Sequence, residues 1–355
     1  MKTETALKLS FVFIFISIVV GSAGVSPAQT GKWVSYVDPS MISEIVARQD
    51  ELYLATTGGL LVYHTGDETF EQFTNTAGLP SNYLTCLMFD KGDRLWVGME
   101  TSGLAKLEQS AGGYVVTPLT STFHGLTDDR ITDIAEWGDT LVYASKNGMG
   151  LIIKDFPGPR FFVSDGLPSE LVHAVHPDGD QVWVATDEGL VVLDKFGFIQ
   201  NPANTSFTCY SIAKTDSALW VGTDTGVAYL RNGTEDWVHT QLEPDPRPVY
   251  SLAYDGEKLW AGARARFYWY DGSVWAKNDV FDLYATYALN NRNCELRGLL
   301  PMPDGSLFVG GGDPNSQRRG VHLVHFDGTG KTQIPFNGII MNGLLRINFD
   351  IDESL

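Results

Sequence analysis

Between Glu51 and Val324 one phrase recurs seven times: a turn rich in Asp and Gly, an apolar-aromatic strand, a small-residue turn, and a second apolar strand. The clearest copies are GDRLWVGMETSGLAKL (Gly92 to Leu107), GDQVWVATDEGLVVL (Gly179 to Leu193), SALWVGTDTGVAYL (Ser217 to Leu230) and GEKLWAGARARFYWY (Gly256 to Tyr270). Weaker copies begin at Asp50, Asp139 and Gly305. Aligning them gives one anchor per repeat, namely Tyr53, Trp96, Val142, Trp183, Trp220, Trp260 and Phe308. Their spacings of 43, 46, 41, 37, 40 and 48 residues match the period of a four-stranded propeller blade and exceed that of leucine-rich or hexapeptide solenoids.

The local chemistry agrees. Runs such as TCLMF (Thr85 to Phe89) and RLWVG (Arg94 to Gly98) favour β-branched and aromatic residues and are divided by tight Gly/Asp turns. No segment past the first residues keeps a 3.6-residue apolar period long enough for a substantial helix. The expectation is an all-β propeller of about seven four-stranded blades. One blade cannot cover both of its faces, so neighbours must stack. The tryptophan anchors are therefore expected to pack between blades, with sugar stacking as the competing role.

The first residues read as a secretory signal: Lys2 and Lys8, an apolar run from Leu9 to Val20, then Ser26-Pro27-Ala28. Cleavage after Ala28 would leave 29–355 as the propeller domain, exported to the periplasm or beyond, with no membrane insertion. That segment holds 42 acidic and 23 basic residues, a net charge of about −19. Nucleic acid and anionic membrane surfaces are unsuitable partners for it. Cys86, Cys209 and Cys294 lie at unrelated phases of three repeats and read as small buried apolar residues of strands. The end of the chain, Asn342 to Leu355, aligns with Asn82 to Leu95, one residue short of an eighth anchor. An incomplete eighth repeat, and hence a fragment of a longer polypeptide, is the expectation.

A second element precedes several anchors, as in GLPSNYLTCLMFDKGDRLWVGMETSGLAKL from Gly78, GLTDDRITDIAEWGDTLVYAS from Gly125 and GLPSELVHAVHPDGDQVWVATDEGL from Gly166. With it the chain resembles the two-component regulator propeller family, whose repeat reads approximately GLPSN, an apolar strand, then DxxGxLWVGTxxGGL. The match is specific in repeats 2 and 4 and poor in 1, 6 and 7, where the GLPSN element is missing. The resemblance implies an extracytoplasmic propeller, commonly the ligand-binding half of a membrane sensor kinase. The family motif is structural and transfers no catalytic residue, and any kinase would lie beyond Leu355.

The recurring Asp-Gly turns, at Asp90, Asp178, Asp255 and Asp304, suit hairpins better than calcium, which needs six to eight converging oxygens. His173/His176 and His322/His325 are each three apart, a spacing that sends strand side chains to opposite faces and does not suit a shared metal. No nucleophile elbow, Ser-His-Asp order or phosphate loop has supporting context, so no catalytic residue, metal or cofactor is assigned.

Charge is distributed unevenly. Residues 247–319 hold seven of the thirteen arginines and are near +1 overall. Arg264, Arg266, Arg297, Arg318 and Arg319 fall in segments that propeller topology places on one face, where they are candidates to grip an anion such as an acidic oligosaccharide. Pairing with surrounding acids on a solvated surface is the alternative. Three functions follow: a noncatalytic extracytoplasmic sensor or recognition propeller, a secreted surface propeller that binds protein or glycan, and, third, a propeller glycoside hydrolase or lyase.

Overall fold

The phrase becomes structure through hairpins. In the computed structural model each repeat forms four consecutive antiparallel strands paired in chain order, giving seven separate four-stranded sheets. The structure describes residues 39, 41–111, 113–202, 205–234, 236–242, 247–279, 294–312 and 323–334, all within the unit Ser35–Leu355. The sheets are the blades of a propeller: residues 42–73, 84–119, 131–161, 172–200, 209–240, 249–279 and 295–334. Residues 1–28 and the eighth-repeat segment 342–355 lie outside the described residues. Among the described residues, no helix is long and apolar enough to cross a membrane.

The innermost strands are Ile42–Arg48, Leu84–Phe89, Ile131–Trp137, Val172–Asp178, Cys209–Lys214, Val249–Tyr254 and Glu295–Pro301. Each touches the next, and the first touches the last, so the ring is closed. No strand is shared between blades 7 and 1 among the described residues. Closure there is by side-chain packing of Ile42 and Ile45 with Leu52, Leu54, Phe308 and Leu323.

Strand side chains alternate between faces, so each blade contributes to two cores. The buried apolar residues accordingly divide into seven clusters, one at each blade interface. Every anchor packs toward the following blade. Trp96, Trp220 and Trp260 are buried and Trp183 is half-buried.

In blades 2 and 6 the Asp of the recurring turn serves its tryptophan. Asp90 accepts from the backbone N–H groups of Gly92 (2.9 Å) and Arg94 (3.0 Å), from Arg94 Nε (2.7 Å) and from Trp96 Nε1 (2.8 Å). Asp255 repeats this with Glu257, Lys258 and, at 2.7 Å, Trp260 Nε1. In blade 5 Thr215 accepts from Trp220 Nε1 at 3.2 Å. The two carboxylates, Asp90 and Asp255, are committed to turn and core. The hydroxyls of Thr56, Ser145, Thr186 and Thr223 close the following turns onto the carbonyls of Gly59, Gly148, Gly189 and Gly226. All three cysteines are buried, Cys294 just before its strand rather than within it.

Candidate functional site

The axis of the ring holds a cavity of about 650 Å³, within the range of small-molecule sites. One irregularity shapes it. In all seven blades, the pairing of the innermost strand with its neighbour slips by one residue near its start. The bulged residues are Ser43, Thr85, Thr132, His173, Tyr210, Tyr250 and Arg297, and every one lines the cavity. A bulge re-aims a side chain, and here it turns one residue per blade toward the axis.

The ring of bulges is lopsided. Blades 1 to 3 supply small hydroxyls, while blades 4 to 7 supply an arc of rings and a cation. His173 meets Tyr210 edge-on at 5.1 Å between centroids, Tyr210 lies 5.6 Å from Tyr250, and the Arg297 guanidinium sits 5.0 Å over Tyr250. Arg297 donates to Glu295 from Nε (3.0 Å) and Nη2 (2.7 Å), and Arg264 Nη2 donates to the Tyr250 hydroxyl at 3.1 Å. Arg247 in turn donates to the Arg264 carbonyl at 3.0 Å. Lys146 pairs with Glu100 elsewhere on the lining.

His173 Nε2 is 2.8 Å from Asp187. Burial lowers its pKa despite that partner, and the charges of Arg297 and Lys146 push the same way. The neutral ring then donates Nε2–H to the carboxylate. The Arg297 charge is also felt at Tyr83 and Tyr210, whose hydroxyls burial pushes above their usual value. Groups from blades 2, 4, 5 and 7 therefore face one space.

One position beyond each bulge lies a second layer, in which Glu44 and Asp133 stand out. The Glu44 carboxyl accepts from Leu87 N–H in the next blade at 2.7 Å, and Asp133 accepts from Val175 N–H at 2.8 Å and from Ile134 N–H at 2.8 Å. Burial raises both: Glu44 to about 8, with the nearby Asp133 charge adding to it, and Asp133 to about 7 against its backbone donors. A carboxyl raised in the fold keeps a proton that the unfolded chain has released above pH ~4, so stability falls as pH rises toward the folded values and levels off beyond them. Between pH 7 and 9, where His173 and His176 remain neutral because burial lowers both, urea midpoints should decline. Glu44→Gln and Asp133→Asn should flatten that decline; an unchanged slope in both variants would refute the assignment.

Of the five arginines singled out by sequence, Arg297 lines the cavity and Arg264 reaches it through Tyr250. Arg266 opens the third strand of blade 6, opposite Ala263 and Asp279, and is not on the lining. Arg318 and Arg319 lie outside the described residues, as do most of the enlarged loops of repeat 7. The other bulge residues and the two acids were not anticipated. Their signal is present in the sequence: apolar residues three apart, as in Ile42/Ile45, Ile131/Ile134 and Val172/Val175, break the two-residue strand period around each bulge.

No family model matches the chain, and no curated protein is similar to it in sequence. Solved structures share its fold. The extracellular domain of a protein assigned as the hybrid two-component system BT4673 of B. thetaiotaomicron is similar with a TM-score of 0.63 at 18% identity, over 78% of this chain and 38% of that one. PorZ, a surface component of the type-IX secretion system of Porphyromonas gingivalis, gives 0.62 at 14%, over 85% and 39%. Virginiamycin B lyase of Staphylococcus aureus gives 0.61 at 10%, over 77% and 95%. This chain spans less than two fifths of the first two. At such identities the likeness is one of fold, which sensors, surface components and an enzyme all use.

Proposed function

We propose that this protein is a noncatalytic recognition propeller acting outside the cytoplasm, as the ligand-binding part of a sensor or surface assembly. Its ligand is an anionic molecule, an acidic oligosaccharide in the simplest case, held at the axial mouth beside blades 4 to 7. The observation that carries this reading is Arg297 lying over Tyr250 beside Tyr210 on one cavity wall, with Arg264 donating to the Tyr250 hydroxyl. Rings offer a face to a sugar, and a guanidinium offers two parallel donors to a carboxylate. Glu295, only 8% exposed, receives both Arg297 bonds on a single oxygen and fixes the guanidinium in place. Likeness to extracellular and surface propellers supports the setting.

Titration calorimetry with an oligogalacturonide and a neutral oligosaccharide of equal length tests it. The acidic ligand should bind more tightly, and Arg297→Ala should weaken it roughly tenfold or more, since a charge-assisted hydrogen bond is worth ~1.5 to 3 kcal/mol. Raised salt should weaken it as well. Equal affinity for both ligands, or an Arg297→Ala variant that binds like the parent, would remove the basis for the site.

A further inference from the structure

Glu44 and Asp133 are not used by the mouth. They occupy equivalent positions in blades 1 and 3, where the other blades carry Cys86, Ala174, Ser211, Ser251 and Gly298. Both line the same cavity as Arg297. Among the described residues neither forms an ion pair, and each is held by a backbone N–H of the following blade. Two carboxyl groups thus stand in the wall of a cavity that also carries Arg297.

Resting on that reading of the mouth, we propose that ligand binding is coupled to proton uptake: the cavity accepts an acidic ligand with Glu44 and Asp133 neutral and resists it once they ionise. The reasoning is electrostatic. Inside a cavity the field of a carboxylate is poorly screened, so each ionised acid opposes the incoming anion. By reciprocity a bound anion makes both acids harder to ionise, and protons are taken up on binding wherever the free protein has lost them.

Few other groups around the cavity interfere. On the elements packed beside or across from the two acids, the titratable and charged groups of the lining are Tyr83, His173, Tyr210, Tyr250, Arg297 and the ion-paired Glu100 and Lys146, with the Cys86 thiol adjoining. Burial pushes the Cys86 thiol and the three tyrosine hydroxyls up and the His173 ring down. Arg297 stays charged throughout. The folded values of the two carboxyl groups, about 8 for Glu44 and about 7 for Asp133, lie between pH 6.5 and 9. A uronate ligand is ionised across the whole range, so its own charge does not vary.

The test is calorimetric titration of the intact protein with digalacturonate at pH 6.5 and 9, repeated at pH 8 in two buffers of different ionisation heat. Affinity should fall roughly tenfold over the interval in the parent protein and less than about twofold in Glu44→Gln/Asp133→Asn. Gln and Asn keep a carbonyl oxygen for the Leu87 and Val175 N–H groups, so these variants retain the blade-to-blade bonds. At pH 8 the buffer dependence should report net proton uptake by the parent, a measurement that needs no variant. Binding that is tight and independent of pH, or that falls equally in the double variant, overturns the proposal while leaving the anion site standing. No binding at pH 6.5 overturns both.

Discussion

Asp90→Ala should cost about 3 to 5 kcal/mol, a large share of the ~5 to 15 kcal/mol that holds a typical domain folded. The Asp90 side chain is 2% exposed and satisfies two turn N–H groups, the Arg94 guanidinium and the indole of Trp96. Its removal leaves the Trp96 N–H without an acceptor in a core where Trp96 has no exposed surface. An unsatisfied buried donor costs its full desolvation penalty. Arg94 keeps its second partner, Asp155 at 2.7 Å, so the loss falls mainly on turn and indole. Asp90→Thr should be milder, because Thr215 performs the same service for Trp220 in blade 5. Urea denaturation of the three proteins decides it, and a change below ~1 kcal/mol for Asp90→Ala would show that the turn carboxylate is dispensable.

Gly262→Val should destabilise by roughly 3 kcal/mol or more, at the upper end of what overpacking costs. A Cβ at this position would lie 2.3 Å from Ser251 Oγ and 2.5 Å from the Leu296 carbonyl oxygen. A hydroxyl can rotate away, but that carbonyl belongs to the innermost strand of blade 7 and cannot. Blades 6 and 7 would have to separate, loosening Trp260, Phe267 and Phe326 together. The glycine that recurs in the WVG and WAG phrases is thus a point of close approach between blades. Gly66, with open space around it and ordinary backbone angles, is the control: Gly66→Val should stay within about 0.5 kcal/mol of the parent in the same titration.

The blade count, the anchors and the structural nature of the Asp-Gly turns were legible because each rests on contacts within a few tens of residues. A hairpin needs its turn and its alternating strands, and both are written in consecutive positions such as Asp255 to Tyr270. The fit of tryptophan to the following blade was legible for a related reason: a repeat that cannot cover its own faces must use its neighbour. One detail differed, since Trp183 remains half-buried while Trp96, Trp220 and Trp260 are enclosed.

The axial site was only partly legible. Arginine enrichment pointed to blades 6 and 7, and Arg264 and Arg297 do meet at Tyr250. The ring of seven bulge residues was hidden, although its apolar pairs three apart were available to be read, because a local break in strand period does not say what the extra residue will face. Glu44 and Asp133 could not have been selected from so many acids. What sets them apart is a shared cavity and burial, which exist only after segments nearly ninety residues apart are brought round one axis. Local sequence thus determined the blades and how each joins the next. Ring closure alone decided which side chains converge, because that convergence depends on the summed rotation of seven blades and on no single contact within any of them.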